Sequence, residues 1–248
     1  MQTNYAAHYR DLWIRHWWWR ARERYVLRWL DRTAPAAGGR VLNVGCGAGL
    51  LFPALARFGE VDGIEPDESI VPADSPHRSC IDHRPFDSDY ATDRRYRLIV
   101  MLDVLEHIED DVGALRRARE ISEPGAVLFL TVPAMPALWS QHDEINRHYR
   151  RYARGALGDA LRSAGWETMV LRYLFTWTVA PLLVRSVLYP ARGSRGNGAP
   201  SYLPNVPPGV VNSSLLALSL VEQILLDRVP PPVGSSLLAV ASPKGSIK

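Results

Sequence analysis

Three glycines at alternating positions, Gly45, Gly47 and Gly49, follow the apolar run VLNV and suit a backbone that turns sharply or approaches a ligand closely. A strand, such a turn and a helix together present backbone N–H groups and a helix N-terminus to a bound group. Glu65 ends the next apolar stretch, where a carboxylate can accept hydrogen bonds from both ribose hydroxyls of an adenosine ligand. The pair of features favours a nucleoside site over a plain strand–helix turn. The G-x-G-x-G spacing differs from the G-x-G-x-x-G dinucleotide fingerprint, which disfavours an oxidoreductase.

The elements that must position these residues alternate between strand and helix, which predicts a parallel sheet with right-handed crossovers. A change of pattern follows, in which two more strands enclose two apolar helical stretches at 177–190 and 210–228. The Gly-, Pro- and Ser-rich connector 191–209 between those helices is long for a compact domain and indicates a mobile or functional segment. The first 32 residues have the spacing of one long amphipathic helix. The other predicted elements are strands at 40–44, 60–64, 78–82, 97–101, 126–131, 167–175 and 234–244, and helices at 49–58, 111–122 and 154–165.

VLNVGCGAG (41–49) resembles the first motif of the class I S-adenosylmethionine-dependent methyltransferases, and Glu65 stands where their ribose-binding acid does. YRLIVMLDVLEHIEDD (96–111) is similar to their fourth strand and following loop, and EPGAVLFLTVP (123–133) to their fifth strand. The resemblance points to bacterial small-molecule enzymes, the type 11 and type 23 methyltransferases.

This resemblance implies an α/β fold, a Rossmann-like doubly wound seven-stranded sheet whose last strand is antiparallel. It also implies an N-terminal helix and a helical insertion before the last strand. We therefore expect an amphipathic helical cap at 1–34 and a methyltransferase domain at 35–248, with the insertion at 176–232.

The resemblance also implies S-adenosyl-L-methionine as cofactor, with S-adenosyl-L-homocysteine as product. Asp82 would contact the adenine, and Asp87 is an almost equal candidate for that contact. Arg22 would pair with the cofactor carboxylate. The alternative is that Arg22 is a solvated arginine on a packed helix. Asn43 stands where the family usually has an acid, which removes attraction for the ammonium group. The other cofactor-binding residues expected by resemblance are Gly45, Cys46, Gly47, Gly49, Glu65, Leu102 and Asp103.

Acceptor chemistry is expected from the loops after the fourth and fifth strands. A hydroxyl or amine acceptor must lose a proton, so we predict that His107 or His142 is the catalytic base. HDEINRHYRRY (142–152) resembles an element that lies over the acceptor pocket in related enzymes, so His148, Arg151 and Tyr152 are predicted to bind the substrate. The alternatives are that His107 only orders its loop and that His142 and His148 cap the following helix.

A metal-assisted reaction is a second hypothesis. The spacing Asp103-x-x-Glu106-His107 resembles the ligand set of ubiquinone-pathway O-methyltransferases and RNA 3′-end methyltransferases. The same V-L-E-H sequence occurs in metal-independent relatives, so we predict no metal.

Composition restricts the class of protein further. The net charge of +3 over 248 residues is too weak to indicate nucleic-acid binding. Two distant cysteines suggest a reducing compartment without a structural zinc site. The sequence shows no secretory signal and no apolar run of about 20 residues, so we expect a cytoplasmic protein.

The apolar insertion and the Trp-rich first helix suggest a lid over a hydrophobic acceptor, or a surface that meets the inner face of a membrane. Alternatively, these segments only pack on the sheet. We therefore predict methyl transfer, at oxygen, to a small or lipid-like acceptor in small-molecule or natural-product biosynthesis, with peripheral membrane contact and a homodimer as further expectations. The alternatives are a metal-assisted RNA 3′-terminal methyltransferase and a cofactor-binding protein that transfers no methyl group.

Overall fold

The computed structural model describes residues 2–191 and 204–245, so the middle of the predicted connector 191–209 lies outside the described residues. Its strands are β1 (Arg40–Val44), β2 (Glu60–Ile64), β3 (Ile81–Asp82), β4 (Tyr96–Leu102), β5 (Ser122–Pro133), β6 (Trp166–Leu174) and β7 (Ser236–Pro243). Its helices are α1 (Gln2–Arg15), α2 (Trp17–Thr33), α3 (Phe52–Leu55), α4 (Asp111–Glu120), α5 (Gln141–Ile145), α6 (Arg154–Ser163), α7 (Val179–Leu188) and α8 (Gly209–Leu225).

One seven-stranded sheet runs in the order β3-β2-β1-β4-β5-β7-β6. The first five strands pair in parallel, and β7 pairs antiparallel with both β5 and β6. The chain proceeds from β1 to β2 on one side and later to β4 on the other, so the carboxyl ends of β1 and β4 flank a topological switch point. In open α/β sheets ligands bind in the crevice at such a point.

Helices cover both faces of the sheet. Leu115 of α4 and Leu161 of α6 are fully buried on one face, whereas Leu30 of α2 and Leu216 of α8 are buried on the other. Each such side chain contributes roughly 1.5–3 kcal/mol by leaving water. The two layers hold the strands in place, and their loops are left free to form a site at the carboxyl edge.

The single helix expected over the first 32 residues is instead two helices, α1 and α2, that break at His16. This residue has an extended backbone, and its ring accepts the Trp18 N–H at 3.1 Å as a cap of α2. Asn212 of α8 bridges the break, because it accepts the Trp17 N–H and donates to the Arg15 carbonyl, both at 2.8 Å.

Two other elements are less than half as long as expected. Only Phe52–Leu55 of the predicted helix 49–58 is helical, because Gly49 has a φ of +76° and residues 49–52 form hydrogen-bonded turns. Only Ile81–Asp82 of the predicted strand 78–82 pairs with β2, because residues 78–80 form a single helical turn.

Candidate functional site

A cavity of about 760 Å³ opens at the carboxyl edge of β1, β4 and β5. Gly45, Leu102 and Asp103 line it from the ends of β1 and β4. Aromatic side chains of α1 and α2 form a second wall, and α7 and α8 contribute Leu182 and Leu215. The cavity therefore has a polar floor and aromatic or aliphatic walls.

Eight of the predicted site residues line this cavity: Arg22, Gly45, Leu102, Asp103, His107, His142, His148 and Arg151. The other seven do not: Asn43, Cys46, Gly47, Gly49, Glu65, Asp82 and Tyr152. Gly47 nevertheless lies next to it, since a Cβ on Gly47 would be 3.6 Å from the ring of Tyr9, which lines the cavity. The predicted cofactor residues thus extend from the cavity floor toward β2 and β3.

The glycine loop turns in the left-handed region, with φ values of +66° at Gly45, +55° at Gly47 and +76° at Gly49. A side chain on Gly45 would overlap Val104, so glycine is required there on steric grounds too. Glu65 fixes the loop from β2, because its carboxylate accepts the N–H groups of Gly47 and Asp67, both at 3.0 Å. Burial raises the pKa of Glu65. The arrangement places a carboxylate beside the turn, in which Gly45 is exposed and Gly47 and Gly49 are buried.

Asp82 at the end of β3 has its own partners. Arg84 lies 2.6 Å from its carboxylate and the Tyr90 hydroxyl donates to it at 3.1 Å. The hydrogen bond from Arg84 is the largest cause of a pKa lowered to about 2. Asp87, the alternative, accepts the backbone N–H of Asp89. Both carboxylates are therefore engaged within their own loop.

Arg22 and Asp103 form an ion pair of 2.7 Å at the cavity. Arg22 is only 7% exposed, so its interpretation as a solvated arginine is wrong, and its guanidinium stacks over the Trp18 ring at 5.2 Å. Its Nε is buried without a hydrogen-bond acceptor. Asp103 has a φ of +54°, a strained geometry for a residue with a side chain, and accepts the Thr131 hydroxyl at 3.2 Å. The pair thus offers a cation and an anion side by side.

Glu106, His107 and His148 converge on one point, with their ligand atoms all within 4.8 Å of one another. Glu106 is 1% exposed, its Oε2 has no hydrogen-bond partner, and burial followed by the charge of Asp103 raises its pKa well above the usual range. Desolvation, followed by nearby His148, lowers the pKa of His107 to about 4. The His107 side chain is exposed, so solvent screens its surroundings more than those of Glu106. The cluster provides oxygen and imidazole donors of the kind that bind protons or divalent cations.

Asp143 in α5 holds two of the predicted substrate-binding residues. Its Oδ1 accepts His148 Nδ1 at 2.9 Å and Arg151 Nε at 2.8 Å. Burial opposes ionisation of this fully buried carboxyl, but the bond from His148 and the charge of Arg151 outweigh it and lower its pKa to about 2. The bond fixes the ring of His148, whose other nitrogen is left for the cavity side.

His142 precedes Asp143 and lines the same wall. Asn146 Nδ2 lies 3.2 Å from its ring, and burial followed by the charge of Arg185 lowers its pKa to about 4. At neutral pH the imidazole is therefore uncharged.

Tyr152 has a different position. Its hydroxyl donates to Asp111 at 2.7 Å, and its backbone pairs with Pro133 and Met135. The residue is 3% exposed, and with these hydrogen bonds it stabilises the loop after β5.

Sequence reasoning gave no role to Thr131, Asn146, Trp177 or Arg185, although each contacts a predicted residue or lines the cavity. Asn146 belongs to the HDEINRHYRRY stretch, and its spacing to His142 was the available signal. Trp177 and Arg185 come from the insertion, where no local pattern identifies the residues that face a cavity.

Comparison with known proteins gives the site its context. A profile described as "Methyltransferase domain" matches residues 18–170. The ubiquinone biosynthesis O-methyltransferase of Pseudomonas aeruginosa is 25% identical over 162 residues, which cover 58% of this chain and 65% of that protein. The match thus spans slightly less than two thirds of the relative.

Solved structures share the fold at low identity. An S-adenosylmethionine-dependent methyltransferase from Clostridium acetobutylicum matches with a TM-score of 0.58 at 10% identity, covering 98% of this chain and 99% of that one. The [4+2]-cyclase SpnF matches with a TM-score of 0.56 at 18% identity, covering 92% and 84%.

These matches, with the sheet order and the antiparallel last strand, confirm the predicted fold, family and cofactor. The profile covers more than half of the chain and includes the glycine loop, Glu65 and the Asp103–His107 loop. The chain therefore belongs to the methyltransferase-domain family of class I S-adenosylmethionine-dependent methyltransferases.

Proposed function

We propose that this chain transfers a methyl group from S-adenosylmethionine to an oxygen atom of a small or lipid-like acceptor. The observation that carries the proposal is the cavity itself. It joins the switch point of the sheet to a cluster of acid and imidazole groups under aromatic and aliphatic walls.

The residues at the glycine loop fit this cofactor. The amino acid part of S-adenosylmethionine is a zwitterion, and Arg22 and Asp103 present the matching charges. The Nε of Arg22 is buried and has no hydrogen-bond acceptor among the described residues. In this proposal Arg22 takes the carboxylate, and Asp103, with Asn43 and Leu102, borders the ammonium. Glu65 takes the ribose hydroxyls and Asp82 approaches the adenine. The backbone of Gly45, Cys46, Gly47 and Gly49 follows the ligand closely.

Bound S-adenosylmethionine supplies a methyl group on a positively charged sulfur, already activated for displacement. The chain mainly has to position the acceptor, an effect that can remove roughly 7–11 kcal/mol of a barrier. His107 and His142 are uncharged at neutral pH, so each can accept a hydrogen bond from an acceptor hydroxyl. His148 and Arg151, held by Asp143, would orient the acceptor. Tyr152 is buried with its hydroxyl on Asp111, so in this proposal it supports the loop after β5, and its contact with the substrate stays a prediction.

The walls support an acceptor with an apolar part. Trp17, Trp18 and Trp177 line the cavity together with Leu182 and Leu215. The Pseudomonas aeruginosa relative is a ubiquinone biosynthesis O-methyltransferase, which agrees with methylation at oxygen. We therefore propose a hydroxylated aromatic or lipid-like acceptor and no nucleic acid.

Three further expectations remain part of this proposal. We propose that residues 1–34 act as a cap on a domain formed by 35–248, with 176–232 as an insertion that closes the cavity. A cytoplasmic location is still a prediction from the cysteines. A homodimer is likewise a prediction.

A metal-assisted reaction is the second candidate, favoured by the convergence of Glu106, His107 and His148. The bond from His148 to Asp143 resembles the carboxylate–histidine arrangement that orients metal-binding imidazoles. In that case the three side chains would hold a divalent cation that polarises the acceptor oxygen. Apolar cavity walls argue against an RNA terminus as the acceptor even then.

The test combines binding and turnover. Calorimetric titration with S-adenosylmethionine and transfer of labelled methyl to a panel of catechols, phenols and prenylated phenols should give binding and a labelled product. Binding without any product across the panel would favour a protein that transfers no methyl group. Activity that survives exhaustive chelation would remove the metal candidate, and full activity in both H107A and H142A would remove the proposed base.

A further inference from the structure

Helix α8 buries mainly polar side chains. Three of its four buried residues are polar, namely Asn212, Ser219 and Gln223, and the fourth is Leu216. All three make hydrogen bonds to the N-terminal helices or to Trp177: Asn212 binds Arg15 and Trp17, Gln223 Nε2 donates to the Ala21 carbonyl at 2.8 Å, and Trp177 Nε1 donates to Ser219 at 3.3 Å. A helix on a water-exposed surface normally buries its apolar side instead.

The outward side of α8 is apolar. Leu218, Val221 and Leu225 recur at spacings of three and four, so they share one side of the helix, and they are 45%, 50% and 70% exposed. Val210 and Ile224 on the same helix are also exposed. We call these five side chains the outer face of α8. Exposed apolar groups of this extent mark a surface that contacts something other than water.

Helix α7 adds to this surface. Val184, Val187 and Leu188 are each more than half exposed. Its start is joined to α8 through the Trp177–Ser219 bond and through Glu222, which accepts the Thr176 N–H. The two helices therefore present exposed apolar side chains from one connected unit.

The charges near the outer face of α8 distinguish between partners. Glu222 is the sole charged residue between 204 and 226, and its carboxylate is turned inward to Thr176. Arg228, directly after α8, is exposed and forms no ion pair with a carboxylate of the described residues, whereas Arg185 of α7 lines the cavity. A symmetric contact between two copies through this face would bring their Arg228 side chains near each other without a matching anion. Anionic lipid headgroups supply that anion.

We propose that the outer face of α8, with the exposed side of α7, docks on the surface of a bilayer that contains anionic phospholipids. No helix among the described residues is long and apolar enough to span a membrane, so the helices would lie in the interface. A helix in that position buries its apolar side in the headgroup region and keeps its other side on the protein.

Docking of this kind has a consequence for the cavity, and this step rests on the proposed function. Leu182 of α7 and Leu215 of α8 line the cavity from the inner side of the same two helices. An acceptor with an apolar tail could then pass from the lipid into the cavity without crossing water.

The test is flotation of the full chain with vesicles of phosphatidylcholine containing phosphatidylglycerol, and with vesicles of phosphatidylcholine alone. We expect the wild-type chain to float with the anionic vesicles, and the variant L218Q/V221Q/L225Q to bind at least about tenfold more weakly. Met169→Gln, a similar change at an exposed side chain on β6, should bind like the wild type. Arg228→Gln should weaken binding to the anionic vesicles alone.

Titration with S-adenosylhomocysteine separates this proposal from the proposed function, because all four proteins should bind it equally. Wild-type protein that stays unbound at low salt would overturn the proposal, as would equal flotation of the triple variant. A dimer in sedimentation velocity that the triple variant breaks, without vesicle binding, would assign the outer face of α8 to a second copy and also overturn it.

Discussion

Arg22 and Asp103 face each other at the cavity, 2.7 Å apart, and present opposite charges to the same space. Their position gives the amino acid part of the cofactor a cation and an anion that are already oriented. The same pair explains why Arg22 tolerates burial, since a lone buried guanidinium would be strongly destabilising.

Arg22→Gln should therefore lower the affinity for S-adenosylmethionine by about tenfold or more, because hydrogen bonds to charged groups contribute about 1.5–3 kcal/mol. Calorimetric titration measures this effect. Methylthioadenosine lacks the amino acid carboxylate, so its affinity should change little. Arg28→Gln, on the same helix but paired with Asp227, is the matched control. An equal loss for both ligands would show that Arg22 acts on the fold and not on the carboxylate.

Asp143 is a second residue whose charge can be tested, through the dependence of the free energy of unfolding on pH. Its pKa of about 2 lies below the usual 3.8, so the folded state binds its proton less readily than the unfolded state. The ionised form therefore stabilises the fold by about 2 kcal/mol above pH 4, and this contribution disappears as the pH falls toward 2.

Asp143→Asn should lower the free energy of unfolding by about 2 kcal/mol at pH 7, measured by urea denaturation. The difference from wild type should stay constant between about pH 7 and 5 and narrow below about pH 4. Asp159→Asn, at an exposed ion pair with Arg162, should change stability by less than about 0.5 kcal/mol. A difference that widens on acidification would contradict the assignment.

At the scale of elements, the N-terminal helices depend on α8. The break at His16 leaves the Arg15 carbonyl and the Trp17 N–H without helical partners, and the side chain of Asn212 satisfies both. This contact joins segments almost 200 residues apart and explains why a polar residue occupies the buried side of α8.

Asn212→Ala should destabilise the protein by about 1–3 kcal/mol, because two backbone groups would be left unsatisfied in a buried place. Thermal or urea unfolding measures the change, and Ser213→Ala, at the next and exposed position, should be nearly neutral. Limited proteolysis should also cut the variant faster near residue 16. Unchanged stability and proteolysis would mean that water replaces the asparagine.

At the scale of the molecule, the sheet was predictable and much of the site was not. The positions of the strands follow from local features, namely alternating apolar runs and the glycine turn, and the antiparallel last strand follows from the resemblance. The Arg22–Asp103 pair and the Asn212 contacts join distant segments, and no periodicity reports them. The Asp143–His148 bond is local, yet the sequence alone left His148 between a helix cap and a substrate contact.

The whole fold should respond to its cofactor. A ligand that binds only the folded state at 100 times its Kd adds about 2.7 kcal/mol of stability, which for a chain of this size raises Tm by about 5–10 °C. We expect S-adenosylhomocysteine to produce this shift in differential scanning fluorimetry and NADH to produce none. In the variant Glu65→Ala, S-adenosylhomocysteine should raise Tm much less above the ligand-free value of the same variant. The variant Glu167→Ala, at an exposed residue of β6, should show the full rise. A rise in Tm with NADH and not with S-adenosylhomocysteine would place a different nucleoside in the crevice, because Glu65 and the glycine turn would then recognise the ribose of a dinucleotide.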